Sequence, residues 1–501
     1  MPGEIHVNPG LVPYHFAGMV PNPSADTLTI QPQTILIIGA HETGDAATGV
    51  QPVNSYDEIE RLYKPLNGDK TESTIVKMLK AAFDINPMIP KFAIAVSGDV
   101  NPAKSRWDFT FELSTIPTAP GSIVFGVCGS EPVKIEFKPE DFSDPHADPE
   151  ADPPVLPERD YPIKALSEKI RAALAGEVLH KVSVSQDGRV LSLESRSFNT
   201  MSNEMAVGIK SQLPGLKINS QFTPGVAAVA NMDDVVAALP YDQQFTQIAS
   251  GFNDAKDIKI LDDELQSRWN DTRQIDGHLF VADRGTVSEL RKKYSEDSAK
   301  KFHVTIMATS DSETEPAVWA ATVAAVNASH AYRPYLPYSS LPLGRKIQAP
   351  LTRYTLAEKD QLLKSGISTH RVVGGAVQIE RIVTYYTDDK AYQDLNKKQI
   401  LSFLRYDFIR FLKDHYPRHA LSADETQADG DVATPMSARD LVIARHNAWK
   451  NRKYVQDPGK EFKKLIRVKI DEEANDTLRF YLPVQLMGQL RRTITTLAYT
   501  P

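Results

Sequence analysis

Two glycines after an apolar run are the first residues in this sequence whose spacing could support chemistry. Gly39 and Gly44 follow TILII with the glycine spacing of a phosphate-binding P-loop. A P-loop next needs Lys and Ser or Thr for the phosphates and Mg²⁺, but this chain has Asp45 and Ala46. Because a carboxylate repels phosphate, the stretch argues against nucleotide binding.

No other set of residues predicts a catalytic mechanism. The twelve histidines are scattered, and the sequence contains no HExxH, paired-Cys or G-x-S-x-G motif. Cys128 lies in the apolar run SIVFGVCG and is interpreted as a small core residue. His415 and His419 have helical spacing, but Pro417 between them breaks the helix that would align them. We therefore predict no catalytic residue, no metal site and no cofactor, and interpret the protein as a non-enzyme.

The acidic, proline-rich stretch at 141–160 offers carboxylates and His146 as possible metal ligands. The order of an EF-hand loop, with its central Gly and closing Glu, is missing. A stretch with so much Pro and charge can bury little apolar surface. We predict an exposed loop.

A basic run occurs near the C-terminal end of the sequence, at Lys450, Arg452, Lys453, Lys460, Lys463, Lys464, Arg467 and Lys469. Only Tyr454 and Phe462 add aromatic rings to it, and the whole chain has a net charge of −7. Nucleic-acid grooves combine a strong positive potential with aromatic stacking, so this pattern does not predict direct nucleic-acid binding. From Leu351 onward, 25 Lys and Arg stand against 19 Asp and Glu, compared with 32 against 45 before it. The asymmetry fits either a solvated surface or a contact with an acidic protein.

The composition is that of a globular protein with several domains. With 501 residues, 41% hydrophobic and 24% charged, the chain exceeds what one core usually holds. The apolar run at 317–326 is shorter than the roughly 18 residues of a membrane span, and MPGEIHVNPG lacks the features of a signal peptide. One cysteine excludes an intramolecular disulfide, which fits assembly in a reducing cytoplasm.

The pattern is clearest at 355–418. Thr355 and Glu358 form a capping-box pattern, and Gly366 suits the end of that helix. The glycine pair at 374–375 separates two β-branched runs, which predicts a hairpin. DLNKKQILSFLRYDFIRFLKDHY then repeats apolar residues at helical spacing. Together these elements predict a compact α/β core. The apolar stripe of the long helix comprises Ile400, Leu401, Phe403, Leu404, Phe408, Phe411 and Leu412.

The remaining segments predict an α/β (α+β), multidomain fold. Alternating strands and helices at 33–104 and 223–348 predict a parallel or mixed sheet with helices on its faces. Between them, short alternating strands and an Asp187-Gly188 turn predict a β-rich insertion. Near the end, Ser437 and Asp440 are expected to open a helix after Pro435, and KEFKKLIRVKI, LRFYLP and TITTLAY are expected to be strands. The domains are an N-terminal extended arm (1–32), an α/β segment packing with the middle domain (33–104), the insertion (105–222), the middle domain (223–348), a C-terminal core (349–484) and a C-terminal arm or strand (485–501).

The order GIST, two glycines, IERIVTYYT, DLN and a helix containing LRYDF resembles the C-terminal domain of contractile-tail sheath proteins, in particular the Mu-like myophage branch. This core is shared with R-type bacteriocin sheaths. The resemblance extends to TPMSARDLVIARHNAW and LPVQLMGQLRRTITTLAY, and upstream to QTILIIGA, TPGVAAVA and LPLGRKIQAP. It covers most of the chain except the middle.

The resemblance implies a structural subunit of a contractile tail sheath, part of a virion and assembled in the host cytoplasm. Such subunits form a helical homo-oligomer of stacked hexameric rings around the inner tail tube, and contraction drives the tube through the host envelope. The implied partners are other copies of the chain, the inner tail tube protein, and the baseplate and tail terminator proteins. The insertion is expected on the outer surface. No membrane insertion or direct nucleic-acid contact is implied.

The same resemblance implies that both termini pass between neighbouring subunits. Without it, 1–32 would be interpreted as a disordered tail; with it, as a strand added to another sheet. The candidate inter-subunit strand residues are Val12, Tyr14, Phe16, Thr493, Thr495, Leu497 and Tyr499. The core domain is expected to face the tube, and the candidate tube-facing residues are Arg439, Arg445, Lys450, Arg452 and Lys453.

Three alternatives stay open at this point. A bacteriocin or secretion-like injection system uses a sheath with the same core. A tail tube or baseplate protein is a second alternative. A nucleotide-dependent α/β enzyme, from a different class, rests only on the TILIIGAHETG stretch.

Overall fold

The chain folds into two compact units. The computed structural model describes residues 28, 30–41, 49–63, 73–97, 105–127, 132–147, 150–151, 154–175, 181–194, 207–224, 231–294, 301–388 and 392–497. The larger unit comprises 32–333 and 337–398, and the smaller unit comprises 1–31, 334–336 and 399–501. No described helix is both long and apolar enough to cross a membrane.

The larger unit is built on an eight-stranded sheet of mixed direction. Its strands are β1 (Ile35–His41), β2 (Gln51–Val53), β3 (Lys91–Ser97), β11 (Gln247–Ser250), β12 (Leu279–Asp283), β13 (Val304–Ala308), β14 (Ile367–Val373) and β15 (Ala376–Arg381). Their order is β15-β14-β13-β12-β11-β1-β3-β2. The six central strands run parallel, and the two edge strands β2 and β15 pair antiparallel. The predicted mixed α/β fold is confirmed.

Helices cover both faces of this sheet, as the buried parallel strands require. The helices are α1 (Tyr56–Leu62), α2 (Thr74–Ile85), α4 (Met232–Ala238), α5 (Ala255–Trp269), α6 (Val287–Lys293), α7 (Pro316–His330) and α8 (Leu356–Lys364). Side chains of β1 alternate between two cores, with Ile35 and Ile37 against α2 and α7, and Leu36 and Ile38 on the opposite side. α7 is buried almost all round, which explains its uniformly apolar sequence.

Gly39 serves the packing of α2 on β1. A Cβ atom at this position would lie 2.8 Å from the Cα of Ile75, in the first turn of α2. The glycine that suggested a P-loop therefore allows a close approach of helix and strand. We expect Gly39→Ala to cost about 1–3 kcal/mol of stability, because the backbone of α2 must shift. Urea unfolding of the full chain measures this, with the exposed Gly430→Ala as control; equal stability of the two variants would contradict it.

The described part of the insertion consists of two further β-sheets and one α-helix, which share a hydrophobic core of their own. Its elements are β4 (Arg106–Leu113), β5 (Gly121–Val127), β6 (Val133–Phe137), α3 (Tyr161–Leu174), β7 (Lys181–Val184), β8 (Val190–Glu194), β9 (Val207–Ser211) and β10 (Leu216–Thr223). One sheet has the order β10-β4-β8-β7 and the other β6-β5-β9. The predicted hairpin at Asp187-Gly188 joins β7 to β8, and Gly188 has a φ of 71°. His146 is exposed, and the described residues contain no cluster of metal-binding side chains.

The segment 349–398 departs from its expected place in a C-terminal core. The Thr355–Glu358 capping box and the left-handed Gly366 are present as predicted. The hairpin of β14 and β15 forms as well, but β14 continues the large parallel sheet by pairing with β13. The local pattern predicted the hairpin correctly. It did not predict the pairing with β13, because that strand lies about sixty residues earlier in the chain.

The smaller unit contains the end of one long helix and the elements that follow it. These are α9 (Leu395–His415), β16 (Ala420–Leu421), β17 (Val432–Ala433), α10 (Pro435–Asn451), β18 (Val455–Gln456), α11 (Phe462–Leu465), β19 (Arg467–Ile470), β20 (Leu478–Tyr481) and β21 (Gln485–Leu486). The chain enters this unit within α9, between Lys398 and Gln399. KEFKKLIRVKI, expected as one strand, is the short helix α11 followed by β19, because Phe462 and Ile466 bury together at helical spacing.

Candidate assembly surfaces

α10 carries most of the basic residues proposed as a contact surface. Thr434 caps this helix, accepting from the backbone N–H of Ser437, and Pro435 occupies its first turn. The helix therefore starts two residues before the expected Ser437, because the capping box belongs to Thr434 and Ser437. Its buried face includes Val442 and Trp449.

Arg445, expected to face outward, is buried. Its side chain is 2% exposed and donates through Nε to Oδ2 of Asp407 at 2.8 Å and through Nη2 to Oδ1. Asp407 is 0% exposed and also accepts from Trp449 Nε1 at 2.6 Å. The guanidinium lies 4.4 Å from the centre of the Phe411 ring. Arg445 is thus a core residue that joins α9 to α10, and the assignment of a tube-facing role to it is wrong.

The other basic candidates are accessible. Lys450, Arg452 and Lys453 are exposed at the end of α10, where the helix dipole favours positive charge. Lys453 has a φ of 66°, which turns the chain sharply after the helix. Arg439 is half-buried and donates to the carbonyl oxygen of Lys463 at 2.6 Å. Three exposed cations therefore lie close together in sequence at one helix end.

The C-terminal segment forms no strand in the described part of the chain. Met487 N–H donates to Tyr454, and residues 488–497 then join no strand of the described residues. Ile494 is 98% exposed and Leu497 is 89% exposed. Thr493, Thr495 and Leu497, proposed as inter-subunit strand residues, all lie in this exposed segment. Side chains as exposed as Ile494 and Leu497 bury little apolar surface within their own chain.

Several predicted residues fall outside the described part of the chain. These are Val12, Tyr14, Phe16 and Tyr499, together with Gly44, Asp45, Ala46 and Cys128. Their proposed roles stay predictions.

Two residues of the smaller unit were missed by sequence reasoning. Asp407 lies in the LRYDF motif, and an acid within an apolar helical stripe was the available signal for a buried partner. Ile494 is the most exposed apolar side chain of the C-terminal segment, and it alternates with Thr493 and Thr495.

Parts of the chain match known protein sequences. Residues 225–385 match the family model described as phage tail sheath protein central domain. Over 207 residues the chain is 30% identical to the Mu-like prophage FluMu tail sheath protein of Haemophilus influenzae. That match covers 39% of this chain and 42% of the relative, so the chain matches less than half of the relative's length.

A solved structure shares the fold at low sequence identity. The sheath tail protein of Desulfitobacterium hafniense matches with a TM-score of 0.50 and 12% identity, covering 95% of this chain and 97% of that one. A sheath tail protein of Listeria innocua matches with a TM-score of 0.48 and 12% identity, with 92% of this chain and 94% of that one covered. The first of these extends the shared fold beyond residues 225–385. Residues 225–385 are therefore similar to a phage tail sheath central domain, and part of the chain is similar to a Mu-like prophage tail sheath protein.

Proposed function

We propose that this protein is the sheath subunit of a contractile tail, assembling with copies of itself into a helical tube around an inner tail tube. The observation that carries the proposal is the sheath central domain at 225–385. The fold shared with a sheath tail protein over 95% of the chain supports it. The role is structural, and contraction drives the inner tube through the host envelope.

Strand donation is the proposed means of assembly. Main-chain hydrogen bonds to the edge of another sheet can bind an extended segment without a preformed pocket. Residues 492–497 are exposed and join no strand of the described part of the chain, and Ile494 and Leu497 supply the apolar side chains that such a strand needs. The N-terminal arm with Val12, Tyr14 and Phe16 is proposed to act in the same way.

The hairpin of β19 and β20 is the proposed acceptor. Among the described residues these two strands pair only with each other, from Arg467↔Tyr481 to Ile470↔Leu478. An isolated two-stranded sheet is marginally stable, and a third strand would stabilise it. Val468 and Phe480 already pack against Phe462 and Val442, so a new strand would extend an existing hydrophobic layer. Contacts of this kind between unlike surfaces do not close on themselves and generate a helix.

The exposed basic residues at the end of α10 are proposed to face the inner tube. Surface ion pairs are individually worth only about 0–1 kcal/mol, so they can break as the sheath widens. Arg439, Lys450, Arg452 and Lys453 remain candidates, and Arg445 is excluded by its bond to Asp407. The tube surface would then carry acidic residues.

Charge reversal tests the tube contact. We expect the triple variant Lys450→Glu, Arg452→Glu, Lys453→Glu to lose co-assembly with the cognate tube while keeping its stability and its assembly with itself. The control reverses three exposed lysines of the insertion, Lys134, Lys181 and Lys217. Co-sedimentation with tubes at low and high salt is the measurement. Equal binding by both triple variants would exclude this surface.

Energy for contraction would come from new contacts between subunits, so no nucleotide is required. The proposed location is the tail of a virion or phage-derived particle, and the baseplate and tail terminator proteins are proposed partners at its ends. A bacteriocin or injection-system sheath is the remaining alternative origin, since it would use the same strands and surfaces. The alternative of a nucleotide-dependent enzyme depended on the glycine pattern at Gly39. That glycine is accounted for by its close packing against Ile75.

Electron microscopy tests the main proposal. Purified protein is examined by negative stain over a range of concentration and salt, alone and with the cognate tube. Striated tubes of uniform width are expected. Compact monomers or closed small oligomers under all conditions, with and without the tube, would overturn the proposal.

A further inference from the structure

Three buried bases meet at the N-terminal ends of two central strands. His278 directly precedes β12, His303 directly precedes β13, and Lys398 lies in the first turn of α9. All three side chains are buried, Lys398 at 5% exposure. Buried bases in such proximity are costly unless hydrogen bonds order them.

A chain of hydrogen bonds links α9 to the sheet. Lys398 Nζ donates to the carbonyl oxygen of Gly277 at 2.5 Å and lies 3.0 Å from Nδ1 of His278. His278 Nε2 lies 2.8 Å from Oγ1 of Thr305, which donates to the carbonyl oxygen of Val383 at 3.0 Å. Below, "the α9 latch" means this chain of Lys398, His278, Thr305 and the Val383 carbonyl.

The bond between Lys398 and His278 needs one donor and one acceptor. A Lys398 ammonium has donors only, so Nδ1 of a neutral His278 accepts from it, whereas a neutral Lys398 amine has a lone pair that can accept from Nδ1–H. Thr305 Oγ1 uses its own proton for Val383 and accepts from Nε2–H. When both groups are charged, the Nδ1–H of the imidazolium points at the ammonium donors. Full protonation of the pair and the latch are therefore incompatible.

The surrounding groups offer little compensation for a second positive charge. Lys301 and His303 add further bases ahead of β13, and Asp262 of α5 is the facing carboxylate. Lys259 and Asp263 lie further out on α5 and pair with each other at 2.7 Å. The rings of Trp269 and Phe302 lie 5.8 Å and 5.6 Å from Lys398 Nζ, a cation–π distance that accommodates one cation.

We propose that the α9 latch is a proton-sensitive anchor, which holds the first turn of α9 on the central sheet while at most one of Lys398 and His278 is charged and opens when both are protonated. The chain leaves the larger unit immediately after Lys398. Opening the latch therefore frees the start of the helix through which the chain continues. This inference does not depend on the sheath function.

The sign of the pH dependence follows from the histidines. Burial lowers the pKa of His278 well below its usual value, and a positive charge on Lys398 acts in the same direction. Burial also lowers the pKa of His303 and lowers the pKa of Lys398 well below its usual value. The unfolded chain therefore binds more protons than the folded one below about pH 6.5. The stability of the latch is present above that pH and is lost as the pH falls through the window below it.

Hydrogen–deuterium exchange of the full chain tests the latch between about pH 7.5 and about pH 5, the range in which ordinary histidines titrate. After correction for the intrinsic rates, peptides covering 395–402 are expected to exchange at least about tenfold faster at the acidic end, the factor for one pKa unit of linkage. Peptides of α7 should change much less. Uniform acceleration in both regions, or none, would overturn the proposal.

Two variants and a control separate the latch from general acid sensitivity. His278→Asn keeps an acceptor near Nδ1 and cannot titrate, so its 395–402 exchange should lose most of its pH dependence. Lys398→Met fills similar space but has no hydrogen-bond donor. The Nδ1–H of a protonated His278 then faces no other donor, so the pH effect on exchange should shrink as well. His146→Asn, at an exposed position, should behave like the natural chain. If His278→Asn does not fold, Lys398→Met decides alone, and an undiminished pH effect in it would contradict the latch.

Discussion

Asp407→Ala is expected to cost the smaller unit about 3–5 kcal/mol, the loss typical of removing one partner from a buried ion pair. The carboxylate is fully buried and accepts from Arg445 through two nitrogens and from Trp449 through Nε1. Without it the guanidinium, buried against Phe411, loses this counter-charge. Asp407→Asn should also destabilise, because its amide donor would face another donor.

Hydrogen exchange of the backbone amides of α10 measures this effect in the unit concerned. Asp440→Ala is the matched control, since Asp440 lies on the same helix with its carboxylate exposed. It should change stability by no more than about 0.5 kcal/mol. A triple variant with Asp407→Leu, Arg445→Met and Trp449→Phe removes these three buried polar groups together and should recover much of the loss. If Asp407→Ala behaved like Asp440→Ala, the network would have no role in stability.

Truncation after Met487 is expected to abolish assembly into tubes while leaving the monomer folded. The deleted segment begins beyond the last backbone bond to Tyr454, and its apolar residues Ile494 and Leu497 are almost fully exposed. Removing it costs the monomer little, because exposed side chains contribute little to folding. It removes every main-chain hydrogen bond that a donated strand would make to a neighbour. Deletion of 1–24 is expected to have the same effect.

A proline variant makes the same test without shortening the chain. Ile494→Pro removes one backbone N–H and prevents regular pairing at that position. Leu356→Pro is the matched control, because Leu356 is also exposed and occupies the first position of α8, where proline is tolerated. Negative-stain microscopy scores the tubes, and urea unfolding checks that each monomer is folded. Tubes formed by the truncated protein would exclude strand donation by this segment.

Local patterns predicted the elements of the fold well. The capping box of Thr355 and Glu358, the left-handed Gly366 and the hairpin at 374–375 depend on residues only a few positions apart, so sequence alone specifies them. The alternation of strands and helices predicted a mixed sheet with helices on its faces for the same reason. The order of the contractile-sheath motifs added the family relation, which no single motif would have supported.

Contacts between residues far apart in the sequence determined the features that local patterns did not predict. Arg445 looked like one more surface cation on a basic helix, and only the packing of α9 on α10 brings Asp407 within reach and buries both. The hairpin of β14 and β15 joined the central sheet because β13 offered a parallel edge. Lys398 and His278 are 120 residues apart, so their contact is invisible to any periodicity. Sequence spacing determines which elements form, whereas the burial of a charged side chain depends on the partner that the tertiary fold places beside it.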